Sequence, residues 1–233
     1  MDFDPQLISG RLVRRYKRFF ADVRLEDGSL AVAHCPNPGS MRSCLPEGAR
    51  VWLSPNDDPR RKLRYTWQLL EAPDGWVLVN PVLANDLVAE ALRTDAIEEL
   101  RGYTLQRREV RFGEASRVDF VLSGQGARCF VEVKNVSMAL GFGRAAFPDS
   151  VTERGTRHLH ELVRVRAAGT RAVLLFNVGR ASADTVEPAD DIDPVYGAAL
   201  RHAIAQGVEV LAYRCEFAPN RVVLGTRIPV LLP

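Results

Sequence analysis

Short runs of alternating apolar and polar residues, separated by turn-forming residues, fill the first third of the chain. Side chains of a strand point to opposite faces in turn, so the alternation predicts strands at Phe19 to Glu26, Ser29 to His34, Arg50 to Pro55, Tyr65 to Ala72 and Trp76 to Val79. Asp27-Gly28 and Asp74-Gly75 are hairpin dipeptides. Asn37-Pro38-Gly39-Ser40 is a tight turn whose serine would cap a short helix through Leu45. Several short strands with no long helix predict a small closed barrel of the OB type over residues 1–80.

The pattern then changes. Asn80-Pro81 reads as an N-cap with proline at the first helical position, opening a helix through about Leu92, and Thr94 restarts a shorter one that stops near Gly102. Strands follow at Thr104 to Phe112, Arg117 to Leu122 and Arg128 to Val136, then a helix from Thr152 to Ala168, with Ser150-Val151-Thr152-Glu153 in the form of a capping box. Strand Arg171 to Val178, helix Pro194 to Gln206 and strands Val208 to Phe217 and Arg221 to Val230 complete the chain. Residues 81–233 therefore read as a mixed sheet flanked by helices, and the whole as an α/β (α+β) chain of two domains.

Hydrophobic residues make up 46% of the 233 and charged residues 26%, an ordinary globular balance that excludes a disordered or fibrous chain. The first ten residues lack the basic start and apolar stretch of a signal peptide, and no uncharged run is long enough to span a bilayer, so a cytoplasmic protein with no membrane partner is expected. Cys35, Cys44, Cys129 and Cys215 form no Cys-x-x-Cys pair, which fits neither a zinc module nor a disulfide scaffold. Nothing fixes an oligomeric state, and a homodimer is compatible with the sequence.

The net charge of +2 hides an asymmetry. Residues 1–70 carry twelve Lys and Arg against eight Asp and Glu, and Arg11 to Arg24 alone holds six basic side chains interleaved with Tyr16, Phe19 and Phe20. Cations and rings mixed on strands suit a nucleic acid, since cations meet phosphates and rings stack on unpaired bases. Arg14, Arg15, Lys17 and Arg18 are the candidates here; a charge run of this kind is also what a solvated face shows.

The chemistry concentrates further on. In Phe130-Val131-Glu132-Val133-Lys134 the strand period puts Glu132 and Lys134 on one face and Cys129, Val131 and Val133 on the other, and a hairpin through Ser123 to Gly126 sets Asp119 roughly opposite. Two facing carboxylates repel unless a cation neutralises them, and a lysine beside that cation can orient a water or stabilise charge on a phosphoryl group. The same alternation is what any half-exposed strand shows. In the helix that follows, Arg154, Arg157, Glu161 and Arg164 share a side, a candidate phosphate-facing stripe. His158 is read as a DNA contact and His160 as a surface residue; His34 and His202 are read as structural.

With Asp119, Glu132 and Lys134 on consecutive strands after a helix, the second half resembles the PD-(D/E)xK nuclease fold. The strings Arg14-Arg15-Tyr16-Lys17-Arg18-Phe19-Phe20-Ala21-Asp22-Val23, His34-Cys35-Pro36-Asn37, Gly39-Ser40-Met41, Glu132-Val133-Lys134-Asn135-Val136 and Phe147 to Gly155 together resemble the sugar fermentation stimulation protein A (SfsA) family over nearly the whole chain. The family pattern has threonine where this chain has Pro38. The resemblance implies an OB-like barrel followed by a nuclease-like domain, and DNA-binding proteins linked to regulation of sugar metabolism. It also implies a glutamate from the first helix of the second domain. Glu90, bordering the stripe that carries Leu83 and Leu87, is chosen over Asp86. The expected site is thus Glu90, Asp119, Glu132 and Lys134, with Asp119 and Glu132 holding Mg²⁺ or Mn²⁺. The competing expectation is a regulator that keeps the scaffold and does not cut, and a third is a sugar-sensing barrel built on Trp52, Trp67 and Trp76.

Overall fold

The computed structural model describes residues 1–112, 116–124 and 126–233. The first domain is a sheet of β1 (Ile8–Tyr16), β2 (Phe20–Leu25), β3 (Leu30–His34), β4 (Arg50–Pro55), β5 (Tyr65–Ala72) and β6 (Gly75–Leu78), in the order β3-β2-β1-β4-β5-β6. A further pairing of β3 with β5, Ala33 opposite Tyr65, closes the first five strands into an OB-type barrel. Its core holds Leu12, Val23, Val51, Leu53 and Trp67, the inward positions of each alternating strand. Trp67 is fully buried and donates its indole N–H to the Leu69 carbonyl, so it cannot present a ring to a sugar. Trp52 and Trp76 stack on each other at 5.5 Å, and Trp76 stacks on Phe217 of the second domain.

Two local expectations fail in this domain. Arg11, Arg14 and Arg15 of the basic run belong to an additional strand, β1, whose bulge between Leu12 and Arg14 blurs the period-two signal. The residues from Ser40 to Leu45 form no helix. Instead the Arg15 guanidinium binds the carbonyls of Asn37 (2.8 Å) and Gly39 (3.0 Å), and the Met41 amide donates to Asp149 of the second domain (3.2 Å). The turn's polar groups are spent on those partners rather than on a helix.

The second domain begins with α1 (Leu83–Arg93) and a 3₁₀ turn, Glu98–Leu100, in place of the longer second helix that the sequence suggests. Its main sheet comprises β7 (Thr104–Phe112), β8 (Ser116–Gly124), β9 (Ala127–Val136), β12 (Arg171–Val178), β14 (Glu209–Ala218) and β15 (Arg221–Arg227), in the order β15-β14-β12-β9-β8-β7. Strands β9, β12 and β14 run parallel, and the rest pair antiparallel. One face packs on α1, through Cys129, Val131, Val133 and Phe120; the other packs on α2 (Glu153–Ala167) and α3 (Pro194–Ala205), through Leu174, Phe176, Leu159 and Leu200. This mixed sheet with helices on both faces is the architecture expected for the second domain. The β8–β9 pairing reaches Gly124 opposite Ala127, and Gln125 of the expected turn lies outside the described residues.

The short strands β10 (Met138–Gly141), β11 (Arg144–Phe147) and β13 (Thr185–Pro188) form a second small sheet that the sequence pattern did not predict. Each is four residues, too short for alternation to stand out. The start of α2 also differs from expectation. Thr152, not Ser150, is the N-cap and accepts from the Gly155 amide at 3.1 Å, while the Asp193 carboxylate binds both the Thr152 amide and the first turn of α3.

The domains are tied together. Buried Arg180 places two bonds on Asp74 of the β5–β6 turn (2.9 and 2.6 Å) and one on the Ser137 carbonyl (3.1 Å), and the Leu78 amide donates to Gly179. The first seven residues, counted with the barrel in the sequence-based division, lie on β15: the Val222 amide donates to Met1 and the Phe3 amide to Asn220. Among the described residues no helix is long and apolar enough to cross a membrane. The four cysteines are buried and free.

Candidate active site

Asp119 sits where the sheet opens. Strands β8 and β9 stay paired as far as Phe120 opposite Val131, and one residue further the Asp119 carboxylate replaces the backbone partner. Its Oδ2 accepts the Val133 amide at 2.7 Å, and its Oδ1 accepts the side-chain amide of Asn85, on α1, at 2.8 Å. Burial first, and the neighbouring Glu132 charge second, push its carboxyl up to about 6 against those hydrogen bonds.

Glu132 lies on the β9 face turned toward α2. The alternation therefore separates the side chains as predicted, but its charged side is covered rather than open: Glu132 is 2% exposed. Its Oε1 accepts from Lys134 Nζ at 2.5 Å and is in contact with His158 Nδ1. Its Oε2 is buried with no hydrogen-bond partner among the described residues. Burial works to raise its pKa, yet the His158 bond and the Lys134 charge outweigh burial and hold it below the usual glutamate range.

Asp119, Glu132 and Lys134 line a cleft of about 620 Å³ between the domains. The barrel contributes Arg18 and the Asn37–Gly39 turn, α1 contributes Asn85, the segment leading into α2 contributes Asp149, and α2 contributes Arg154. The turn and Asp149 approach so closely that a β-carbon at position 39 would collide with the Asp149 carboxylate, which explains glycine there.

Two sequence-based assignments are corrected. Glu90 does not reach the cleft; its carboxylate pairs with the amino terminus of Met1 at 2.7 Å. Asn85 and Glu90 are five residues apart, about 140° around the helix, so when Asn85 faces Asp119 Glu90 must face away. His158 is not a surface DNA contact, because it is 3% exposed beneath Glu132. Of the other basic candidates, Lys17, Arg18, Arg154 and Arg157 are exposed. Arg14 is exposed but paired with Asp22 at 2.7 Å, Arg164 is paired with Glu161 at 2.8 Å, and Arg15 is committed to the turn carbonyls. Sequence reasoning missed Asn85 and Glu109. Glu109 lines the cleft from a left-handed position (φ 52°) within β7.

A buried carboxylate oxygen without a donor, beside a second carboxylate, is a pairing that a cation would complete, so Asp119 and Glu132 fit a divalent ion with oxygen ligands. No group of three His, Cys, Asp or Glu residues converges as a ready-made metal cage among the described residues. An ion held here would keep several waters, as Mg²⁺ does.

The raised pKa of Asp119 has a measurable consequence in metal-free protein. Between about pH 4 and pH 6 the folded state holds a proton that the unfolded chain has released, so stability falls as pH rises through that window and the loss is complete above it. The penalty is on the order of 3 kcal/mol. With EDTA present, Asp119→Asn is expected to raise the urea midpoint at pH 8 and to lose that advantage near pH 4; equal midpoints at both values would show that Asp119 titrates normally.

Residues 13–79 match the SfsA N-terminal OB domain, and residues 82–221 match the sugar fermentation stimulation protein RE domain. The chain belongs to the sugar fermentation stimulation protein family. It is 51% identical over 98% of its length to a sugar fermentation stimulation protein homolog of Pelobacter propionicus, covering 99% of that protein, and 52% identical over 97% to one of Geobacter sulfurreducens, covering 96%. The solved structure of Pyrococcus furiosus SfsA in complex with Ca²⁺ superposes with a TM-score of 0.89 at 24% identity, covering 99% of this chain and 98% of that one. That likeness shows that the SfsA fold extends through both domains.

Proposed function

We propose that this family member binds DNA in the interdomain cleft and hydrolyses phosphodiester bonds with a divalent metal. The observation that carries the reading is the buried Glu132 Oε2, without a hydrogen-bond partner among the described residues, beside Asp119 at the floor of a cleft whose rim bears Arg18 and Arg154. The Ca²⁺ complex of the Pyrococcus furiosus relative supports a divalent ion in the family. Asp119 and Glu132 would hold Mg²⁺ or Mn²⁺, which when bound supplies a Lewis acid for the phosphoryl oxygens and lowers the pKa of bound water. Lys134, with one N–H on Glu132 and two to spare, would orient the attacking water and offset charge on the phosphoryl group. Asn85 keeps Asp119 turned toward the ion. Lys17, Arg18, Arg154 and Arg157 would hold the backbone on either side.

Incubating the protein with single-stranded, duplex and branched DNA in Mg²⁺, Mn²⁺ or EDTA tests this reading. Metal-dependent cutting of any form supports it, and cutting of none supports a non-cutting DNA-binding regulator of sugar metabolism genes. Affinity is expected to fall as salt rises, because each neutralised phosphate releases counterions. Alanine at Lys17, Arg18, Arg154 and Arg157 should flatten the log–log salt slope by about one for each phosphate no longer neutralised, whereas Arg14→Ala and Arg164→Ala should change it less, since a carboxylate already engages each. An unchanged slope in the fourfold variant would move the DNA path elsewhere.

A further inference from the structure

His158 has no place in the mechanism above, yet it is buried against Glu132, one of the two carboxylates that the metal would need. It sits on α2, five residues past its start, with its two ring nitrogens engaged differently. Arg154, one turn earlier, directs Nε at His158 Nε2 across 3.4 Å. Arginine only donates, so Nε2 is the accepting nitrogen and the ring proton belongs on Nδ1. From there it is donated to Glu132 Oε1. The Lys134 ammonium donates to the same oxygen, and it stands 3.3 Å from Nδ1 as a second donor converging on Oε1 rather than as a partner of the ring.

The consequence falls on the other oxygen. With the His158 and Lys134 donors both on Oε1, Oε2 is left buried and without a hydrogen-bond partner among the described residues. A glutamate on a strand has three rotatable side-chain bonds, and a lysine two residues away on a flexible stem would not fix them alone. The rigid ring, wedged under α2, does. We infer that His158 is the positioning residue that orients Glu132, presenting Oε2 as the metal-ligating atom, with Arg154 setting its tautomer.

This inference rests on the metal reading of the site and extends it to a residue outside the ligand set. It also joins the two halves of the site. Arg154 lines the cleft and has five donors, so it holds His158 through Nε while its terminal N–H groups remain available for a phosphate. A DNA phosphate gripped by Arg154 and the carboxylate that holds the ion are then connected through a single imidazole. Partners of this kind commonly account for about 10- to 100-fold in metal affinity.

The test measures Mn²⁺ binding to the DNA-free full chain, from the loss of the free-ion electron paramagnetic resonance signal. His158→Leu fills the volume without a donor and is expected to weaken Mn²⁺ about tenfold or more. His158→Asn places an amide N–H close to where Nδ1 stands and is expected to restore most of the affinity. Thermal unfolding of each variant reports folding; a purely structural histidine would lose stability in both variants and affinity in neither. Affinity unchanged in a folded His158→Leu protein, or equally weak in folded Leu and Asn variants, overturns the positioning role while leaving the metal site standing. If His158→Leu does not fold, the Asn variant is compared with His158→Gln, whose amide reaches the Nε2 position instead; equal affinities there overturn the role. Binding by the unsubstituted protein no tighter than by Glu132→Gln would remove the metal reading itself, and this inference with it.

Discussion

Asp119→Asn and Lys134→Ala are expected to lower metal-dependent DNA cleavage by at least about 100-fold while leaving DNA binding in EDTA nearly intact. The separation follows from where the charges lie. Asp119 and Lys134 are at the floor of the cleft, hydrogen-bonded to Val133, Asn85 and Glu132, whereas exposed Arg18 and Arg154 stand on its rim. Under the proposed function, groups at the floor would act on charge that develops in the transition state, and groups on the rim would bind substrate and transition state alike. Glu90→Gln supplies the contrast. Because Glu90 faces Met1 and not the cleft, its cleavage rate should stay within about twofold of the unsubstituted protein. A large loss in Glu90→Gln would restore the helix glutamate to the site. Cutting that survives in both Asp119→Asn and Lys134→Ala would belong to a contaminant.

The second large effect concerns the joint between the domains. Asp74→Ala should destabilise the protein by about 3 kcal/mol, because it leaves the Arg180 guanidinium, 5% exposed, without its counter-charge. Arg180→Met should cost less, since Asp74 is 41% exposed and can turn to water and to Ser182. Combining the two should recover part of the Asp74→Ala loss, as residues sharing one interaction are not additive. For a chain of this size, about 3 kcal/mol corresponds to roughly 10 °C in Tm. Differential scanning calorimetry of the three variants decides the order. A double variant less stable than either single one would show that the pair does not act as a unit.

Features that depend on local period and on short distances along the chain were legible from the residues alone. Strands β7 and β12 run over the residues expected; β12 carries a continuous apolar run and is bounded by Gly169 and Gly179, which is a local signal. The grouping of Asp119, Glu132 and Lys134 in one cleft was likewise legible, from strand parity and one hairpin. Other assignments needed the folded molecule. Glu90 and Asn85 are both polar residues on α1, and only the direction in which the helix docks on the sheet selects Asn85 for Asp119 and leaves Glu90 to the amino terminus. His158 reads in sequence as one more polar residue on a basic helix; it is buried because α2 lies over the charged side of β9, a contact between segments 26 residues apart. Arg15 looked like a phosphate contact within a basic run, and the fold spends it on carbonyls more than 20 residues away. In each case the residue type fixed what bonds were available, and only packing between distant segments fixed which partner received them.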